Sequence, residues 1–339
     1  MKNRFLSLDG WRGLSIILVL LGHLFPLGPK LWGMNGAIAA TGMSIFFILS
    51  GFLILNVLIN EKNVTNFLIK RFFRILPISW LVILITFIFI NSDKKIYLSH
   101  FLFYANWAPM TLTAQTSHFW SLCVEVQFYI GIAFLFLIAG TRIVLALPII
   151  SIIITLYRYL NHAEIDINTF YRMDELLAGC ILAIINMNFE KIKEIIGRLS
   201  FIYLFPLLIL SAHPAGGVLN YFRPYIAMLM IGSTLFYEKS TEQWLKNKFL
   251  FYMASVSYAV YIVHGGLRYT WLGTGETGEK YIKRILLLIV VILLAHLSTF
   301  YYEKYWINLG KKLCALCNSI KNGKKIISLS NIEIVPPKL

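Results

Sequence analysis

An all-α membrane bundle of about ten transmembrane helices, with both termini in the cytoplasm, is the fold class that this sequence predicts. Apolar residues make up 58% of the 339 residues, and charged residues make up only 14%. The mean hydropathy is +0.71. Because soluble chains carry about a quarter charged residues, this composition excludes a soluble globular domain, a disordered chain, a collagen-like fibre and a disulfide scaffold.

The predicted spans are apolar runs that approach the length of about 20 residues needed to cross a bilayer. The sixth run is irregular, because Arg172, Asp174 and Glu175 stand at its start. The first run carries Arg12 and His23 and lacks a small-residue cleavage site, which argues against a signal peptide. The runs are 12–29, 37–58, 75–91, 119–140, 143–157, 170–187, 199–212, 222–237, 250–265 and 282–301.

The distribution of basic residues predicts the orientation. With the N-terminus inside, 21 of the 31 Lys and Arg residues fall on cytoplasmic segments and 10 fall outside. This is the bias typical of cytoplasmic loops, so the net charge of +15 needs no nucleic-acid partner. We expect a membrane-embedded domain over residues 1–310 and a partly disordered cytoplasmic tail over residues 311–339.

The four cysteines do not indicate a metal site. Cys314 and Cys317 have CxxC spacing, but neither a second pair nor a nearby histidine accompanies them. We therefore expect no bound metal.

Three ionisable residues lie inside predicted spans, where a charge is costly and a function is the default hypothesis. His23 follows Arg12 by eleven residues, about 16 Å along a helix, which places it near the bilayer middle. Glu125 lies about two turns into the fourth span, counted from the outer side of the membrane. His23 and Glu125 are therefore expected at a similar depth, while His264 ends the ninth span.

Each of these residues also has a purely structural interpretation. A histidine near the interface, such as His264, is often only hydrogen-bonded within the bundle or supports a neighbour. Glu125 could be a buried tie between helices. For His23 a functional role is favoured, because a carboxylate at the same depth can pair with it.

A basic pair stands at the start of the third span. Arg71 and Arg74 share one helix face, since residues three apart are neighbours on a helix. Arg12 is expected at the same cytoplasmic level. Three guanidinium groups would suit a phosphate-rich cytosolic ligand, because Arg binds phosphate in a bidentate manner; the alternative is simple topogenic charge.

Taken in order, several motifs resemble the acyltransferase-3 family of integral membrane acyltransferases. Arg12 and His23 match its Arg-x10-His pattern, and Arg71 and Arg74 match its Arg-x-x-Arg motif. Cys123 occupies a position where the family often has a small or hydroxylated residue, and the last segment lacks the family's proline. The further matching segments are Leu8–Gly13, Phe46–Phe52, Phe119–Leu122 with Glu125, Ser257–His264 and Glu303–Ile307.

The resemblance implies an O-acetyltransferase without the fused esterase-like domain that some members carry. Its donor would be cytosolic acetyl-CoA or another acyl-CoA, and its acceptor a hydroxyl of a cell-surface or lipid-linked glycan. It would be a multi-pass protein of the plasma membrane, which is the inner membrane in a bacterium. The aromatic outer segment 104–109 could stack on a sugar.

The same resemblance, with the chemistry of the residues, suggests roles. Arg12, Arg71 and Arg74 would bind the donor, and His23 would take the proton of the attacking hydroxyl. Glu125 would orient His23 or stabilise its imidazolium form; an acyl-imidazole intermediate is the alternative. Substrate-binding or supporting roles fall to Asp9, Trp120, Ser121, Tyr129, Tyr258, Tyr261 and His264.

A proton-coupled transporter or a glycan flippase is the competing hypothesis. Buried His, Glu and Arg residues in a bundle of this size would suit either one. Such carriers usually show internal repeats and interrupted helices in corresponding halves, and the sequence shows no repeat. The enzyme is therefore the favoured interpretation.

Overall fold

The computed structural model describes residues 6–90, 92–237 and 240–321. Within these ranges the chain is helical and has no β-strand, which confirms the predicted all-α class. The helices are α1 Leu6–Leu24, α2 Met34–Glu61, α3 Val64–Phe89, α4 Lys94–Phe101, α5 Trp120–Ala139, α6 Ile143–Leu160, α7 Thr169–Asn188, α8 Glu190–Arg198, α9 Phe201–Ala212, α10 Leu219–Phe236, α11 Lys248–Leu267, α12 Thr277–Leu297 and α13 Lys304–Lys321.

Each predicted span overlaps one of the helices α1–α3, α5–α7 and α9–α12. Within the described residues, five helical stretches are long and apolar enough to cross a membrane. A sixth appears if α8 and α9, bent by 85°, form one broken span. The number of spans and their orientation stay predictions.

The first helix ends five residues before the predicted end of its span. Its last backbone bond runs from Phe25 N to Leu21 O at 3.2 Å. Pro26 has no N–H to continue the helix and disfavours helical geometry in the residue before it, and Gly28 follows with a φ of 104°. His23 therefore lies in the last turn of α1 rather than in the middle of a long span.

Glycines let three pairs of neighbouring helices approach closely. A Cβ atom at Gly13 would lie 2.1 Å from the carbonyl oxygen of Leu250, so α1 touches the backbone of α11. At Gly51 a Cβ atom would lie 1.9 Å from the Leu176 carbonyl oxygen, where α2 meets α7, and at Gly22 it would lie 2.6 Å from a carbonyl oxygen of α2. Small residues at such contacts are typical of membrane helix packing. The contact at Gly13 sets α1 beside α11, the two helices that carry His23 and His264.

The charges at the start of α7 are neutralised inside the bundle. Arg158 of α6 forms an ion pair with Asp174, and both side chains are 0% exposed. Glu175 accepts hydrogen bonds from Arg172 at 2.8 Å and from Arg223 of α10 at 2.9 Å. These pairs explain how a helix with three charges near its start can be buried.

A π-helical turn, Ser298–Glu303, joins α12 to α13. α13 then packs along α3, where the Asn318 side chain accepts a hydrogen bond from Asn66 Nδ2 at 3.1 Å. The predicted domain boundary at residue 310 falls inside α13. Residues 322–339 of the predicted tail lie outside the described residues.

Candidate active site

Two clusters of polar residues lie towards opposite ends of α1. Arg12 stands in its second turn and His23 in its last turn. The eleven residues between them correspond to about 16 Å along the helix. The other predicted site residues join one cluster or the other.

The histidine cluster joins α1, α11 and the turn that precedes α5. The Nδ1 atom of His23 lies 2.9 Å from Nε2 of His264. The two rings are nearly parallel, with centroids 5.2 Å apart and planes inclined by 9°. His118 packs against the ring of His264 at 5.1 Å, and its Nε2 donates to the Ile262 carbonyl at 3.1 Å.

The hydrogen-bond partners of His23 and His264 determine which ring nitrogen of each neutral histidine carries the proton. His264 Nδ1 lies 2.7 Å from the Tyr261 carbonyl oxygen, which can only accept, so Nδ1 of His264 carries the proton. Its Nε2 is then an acceptor, and Nδ1 of His23 must donate to it. The remaining nitrogen of His23, Nε2, holds a free lone pair.

His23 faces a cavity of about 210 Å³. Gly265 forms part of its wall, and a Cβ atom there would lie 2.0 Å from His118 Nδ1. Only glycine therefore lets His118 lie against α11. The lining residues are His23, Ser117, His118, Trp120, Ile167, His264, Gly265, Arg268 and Tyr269.

Predicted supporting residues hold this cavity together. The Tyr261 hydroxyl donates to the His118 carbonyl at 2.5 Å and lies 2.6 Å from Ser121 Oγ, which ties α11 to the start of α5. The guanidinium of Arg172 lies 5.2 Å from the centre of the Trp120 ring. The structure thus brings Trp120, Ser121 and Tyr261 to the histidine cluster.

The aromatic segment 104–109 packs beside the cavity. Asn106 donates to the carbonyl of Ile167, a lining residue, at 3.0 Å. The indole N–H of Trp107 donates to Gln127 at 2.8 Å, and 41% of Trp107 stays exposed. The segment is therefore near the cavity, as a sugar-stacking role would require.

The arginine cluster lies at the other end. Arg71 stacks on Phe67 and Tyr129, with its Cζ atom 5.8 Å and 5.5 Å from the two ring centres. Arg12 interacts electrostatically with Arg71 and Arg74. Within the described residues, neither Arg71 nor Arg74 donates a side-chain hydrogen bond to the protein. A cavity of about 320 Å³ opens here, lined by Val57, Glu61, Phe67, Lys70, Arg71, Arg74, Ile307 and Lys311.

Glu125 belongs to the arginine cluster. Its Oε1 accepts hydrogen bonds from Ser50 at 3.0 Å and from the Tyr129 hydroxyl at 2.5 Å. Its charge interacts with that of Arg12. The structure does not form the predicted pair of His23 and Glu125: α1 ends soon after His23, beside the end of α11, and the ring nitrogen bonds His264 instead.

The remaining predicted residues support the arginines. Asp9 lies one turn before Arg12 and interacts with its charge. The Tyr258 hydroxyl donates to the Ile75 carbonyl at 2.8 Å, next to Arg74 on α3. This contact ties α11 to the arginine-bearing turn of α3.

A small cavity of about 20 Å³ lies between the two clusters. It borders the middle of α1 and the face of α11 that carries Tyr261. Its lining residues are Ser15, Ile16, Val19, Met43, Phe46, Ser257 and Tyr261.

No metal-binding geometry is present among the described residues, since no group of three or more His, Cys, Asp or Glu residues is placed to hold an ion. Cys314 is buried and Cys317 is exposed, and both are free thiols. The expected absence of a metal stays a prediction.

His118 and Arg268 are among the residues of the histidine cavity that could not be assigned from the sequence. His118 stands two residues before Trp120, directly before the matching segment Phe119–Leu122. Arg268 follows His264 by four residues, so it lies one turn further along the same helix face. That spacing is a sequence signal for Arg268. No pattern in the sequence indicates the contact between His118 and α11.

Residues 5–303 match the sequence model of a family described as an acyltransferase domain. The chain belongs to the acyltransferase-3 family. The match covers both clusters and confirms the resemblance drawn from the motifs.

Relatives of this acyltransferase-3 chain carry O-acetyltransferase names. It is 28% identical over 57% of its length to "Peptidoglycan O-acetyltransferase OatA" of Listeria monocytogenes serovar 1/2a. It is 26% identical over 78% of its length to a "Putative O-acetyltransferase" of Staphylococcus aureus strain COL. It is 26% identical over 88% of its length to "Putative peptidoglycan O-acetyltransferase YrhL" of Bacillus subtilis strain 168.

The chain spans about half the length of these relatives or less. The aligned parts cover 36%, 50% and 54% of the three relatives. No solved structure matches the chain.

Proposed function

We propose that this protein transfers an acyl group, acetyl above all, from cytosolic acyl-CoA to a hydroxyl of a cell-surface or lipid-linked glycan. The observation that carries the proposal is the arrangement along α1. Near one end lie Arg71 and Arg74, which donate no side-chain hydrogen bond within the described residues, and at the other end lies a histidine with a free basic nitrogen. The names of the relatives, two of which refer to peptidoglycan, support a glycan acceptor.

The arginine cluster would hold the phosphates of the donor. Arg71 and Arg74 are available, because their guanidinium groups donate no side-chain hydrogen bond within the described residues, and charge-assisted contacts to phosphate are the strong ones. Glu125, bonded to Tyr129, balances the charge of Arg12 from the protein side. The thioester end of the donor would then extend along α1 towards His23.

At the histidine end, Nε2 of His23 takes the proton of the acceptor hydroxyl while its oxygen attacks the thioester carbonyl. The C–S bond breaks as the tetrahedral intermediate collapses, and the proton on His23 passes to the departing thiolate. His264 accepts the hydrogen bond from Nδ1 of His23 throughout. It thus does for the imidazolium what a carboxylate does in a catalytic triad.

The orientation is part of the proposal. With both termini in the cytoplasm of a plasma membrane, the arginine cluster meets the cytosol and the histidine cavity opens outside. The test places single cysteines at Lys94 or Lys246 in a background without the native cysteines. The cysteine at Lys94 is expected to react with an impermeant thiol reagent from outside. The cysteine at Lys246 is expected to react only after permeabilisation. Labelling of the Lys246 site from outside would reverse at least one span.

The donor site can be tested with the Arg71→Ala, Arg74→Ala double variant. We expect it to lose most of its CoA affinity, because each charge-assisted contact is worth about 1.5–3 kcal/mol. Isothermal titration of CoA into purified protein measures the loss. Arg142→Ala removes an exposed arginine that does not line this cavity and should bind CoA like the wild type. Unchanged binding in the double variant would remove these arginines from the donor site.

The reaction itself is tested with radiolabelled acetyl-CoA and the purified full chain. Release of CoA with transfer of label to a saccharide supports the enzyme. Flux of a solute in proteoliposomes, without any consumption of acetyl-CoA, would support the transporter instead.

A further inference from the structure

We propose that the histidine cavity recognises an anionic group of its acceptor, a carboxylate or a phosphate, through Arg268. This inference rests on the proposed function and adds the substrate class. Arg268 lines the same cavity as His23. It lies close enough to interact electrostatically with both His23 and His264.

Arg268 is half-buried and has no counter-ion within the described residues. Its guanidinium takes part in no hydrogen bond or ion pair there. The contrast is with Arg158, Arg172 and Arg223, each of which pairs with Asp174 or Glu175. A half-buried charge without a partner is costly, so an anion in the cavity would stabilise this arrangement.

The cavity wall is also positive as a whole. Its described lining contains the cation Arg268 and no Asp or Glu, so no negative side chain there offsets the charge of Arg268. Arg284 adds a second buried cation nearby, since it interacts with Arg268 and donates to the carbonyl of Leu24, next to His23, at 2.6 Å. Arg284 already has this backbone acceptor, which leaves Arg268 as the group free to bind a ligand.

Polar and aromatic groups around Arg268 suit a sugar. Trp120 and Tyr269 line the cavity and can cover the apolar face of a pyranose ring. A saccharide with its anion on Arg268 would have a neighbouring hydroxyl within the same cavity as His23. Arg268 would then act as a specificity-determining residue for the acceptor.

The test uses the purified full chain and three sugar probes: glucuronate, glucose 1-phosphate and glucose. Binding is measured by tryptophan fluorescence, because Trp120 lines the cavity. We expect the wild type to bind at least one anionic probe about tenfold to a hundredfold more tightly than glucose, as for a lost charged hydrogen bond. Preference for glucuronate indicates a carboxylate on the sugar, and preference for glucose 1-phosphate indicates a phosphate.

Arg268→Gln should abolish this preference while leaving glucose and CoA binding unchanged, and Arg268→Lys should restore part of it. Lys283→Gln is the matched control, since it removes one positive charge that already pairs with Glu279 and does not line the cavity. Equal affinity for all three probes, or a preference that survives in Arg268→Gln, would overturn the inference.

Turnover with acetyl-CoA separates this inference from the proposed function. If the wild type transfers acetyl groups without favouring anionic acceptors, the inference alone fails. If the wild type consumes no acetyl-CoA, the proposed function fails while the binding measurement still reports on Arg268. In an active enzyme, Arg268→Gln should raise KM for the anionic acceptor; a fall confined to kcat would place Arg268 on the reacting oxygen instead.

Discussion

Acyl transfer from acetyl-CoA is expected to fall to background when His23 is replaced by alanine, a loss on the order of 10²- to 10⁴-fold for a general base. The reason is geometric: the hydrogen bonds of His264 leave Nε2 of His23 as the free lone pair in the cavity. His264→Ala should also slow transfer, because it removes the acceptor that orients and stabilises His23. Rates with the purified protein measure both effects.

The two histidines should act as a unit. The double variant His23→Ala, His264→Ala is expected to transfer acyl groups only slightly more slowly than His23→Ala alone. The effects of substitutions at His23 and Glu125 should instead be independent. His296→Ala is a suitable control, because His296 also stands in the last turn of a helix but bonds Tyr252 and does not line the cavity. A folded, CoA-binding His23→Ala variant with near-normal turnover would refute the assignment.

Asp174→Asn is expected to give the largest loss of stability. The side chains of Asp174 and Arg158 are both fully buried; Arg158 pairs with Oδ2 of Asp174, and Oδ1 has no hydrogen-bond partner among the described residues. Removing the carboxylate charge leaves Arg158 uncompensated in the bundle, which costs about 3–5 kcal/mol for a broken buried pair. Thermal unfolding in detergent should show a clear decrease in the midpoint temperature.

Asp93→Asn provides the comparison, because Asp93 is exposed at the start of α4 and its side chain makes no capping hydrogen bond. Its unfolding temperature should match that of the wild type. If Asp174→Asn unfolds at the same temperature as Asp93→Asn, the ion pair does not stabilise the bundle.

Helix positions could be predicted from the sequence because each predicted span is a continuous apolar run. The end of α1 was predicted five residues too late, since residues 25–29 are mostly apolar although Pro26 cannot continue the hydrogen-bond ladder. The burial of Asp174 and Glu175 could not be predicted from α7 alone. Their partners Arg158 and Arg223 come from other helices, and each would be counted as a loop charge when read singly.

For the candidate site, local motifs identified the residue types but not their partners. Arg12 with His23, and Arg71 with Arg74, are read from spacing on one helix. The bond between His23 and His264 joins residues 241 positions apart, and it depends on the close approach of α1 to α11 at Gly13. Spacing in the sequence suggested an equal depth for His23 and Glu125, but the structure places Glu125 with Arg12, towards the other end of α1, because spacing along single helices does not determine how two helices are offset.

In the proposed reaction, the distance between the two ends of α1 sets a minimum length for the donor. A donor held at the Arg12 end of α1 would have to carry its reactive carbonyl about 16 Å along the helix to meet His23. Short donors such as acetyl phosphate would bind at the arginines without reaching His23. The length of α1 would therefore select a donor whose acyl group stands at the end of a long, narrow chain. The cavity between the two ends has a volume of only about 20 Å³, so the proposed reaction would require side chains that line it, such as Phe46, to move when the donor enters.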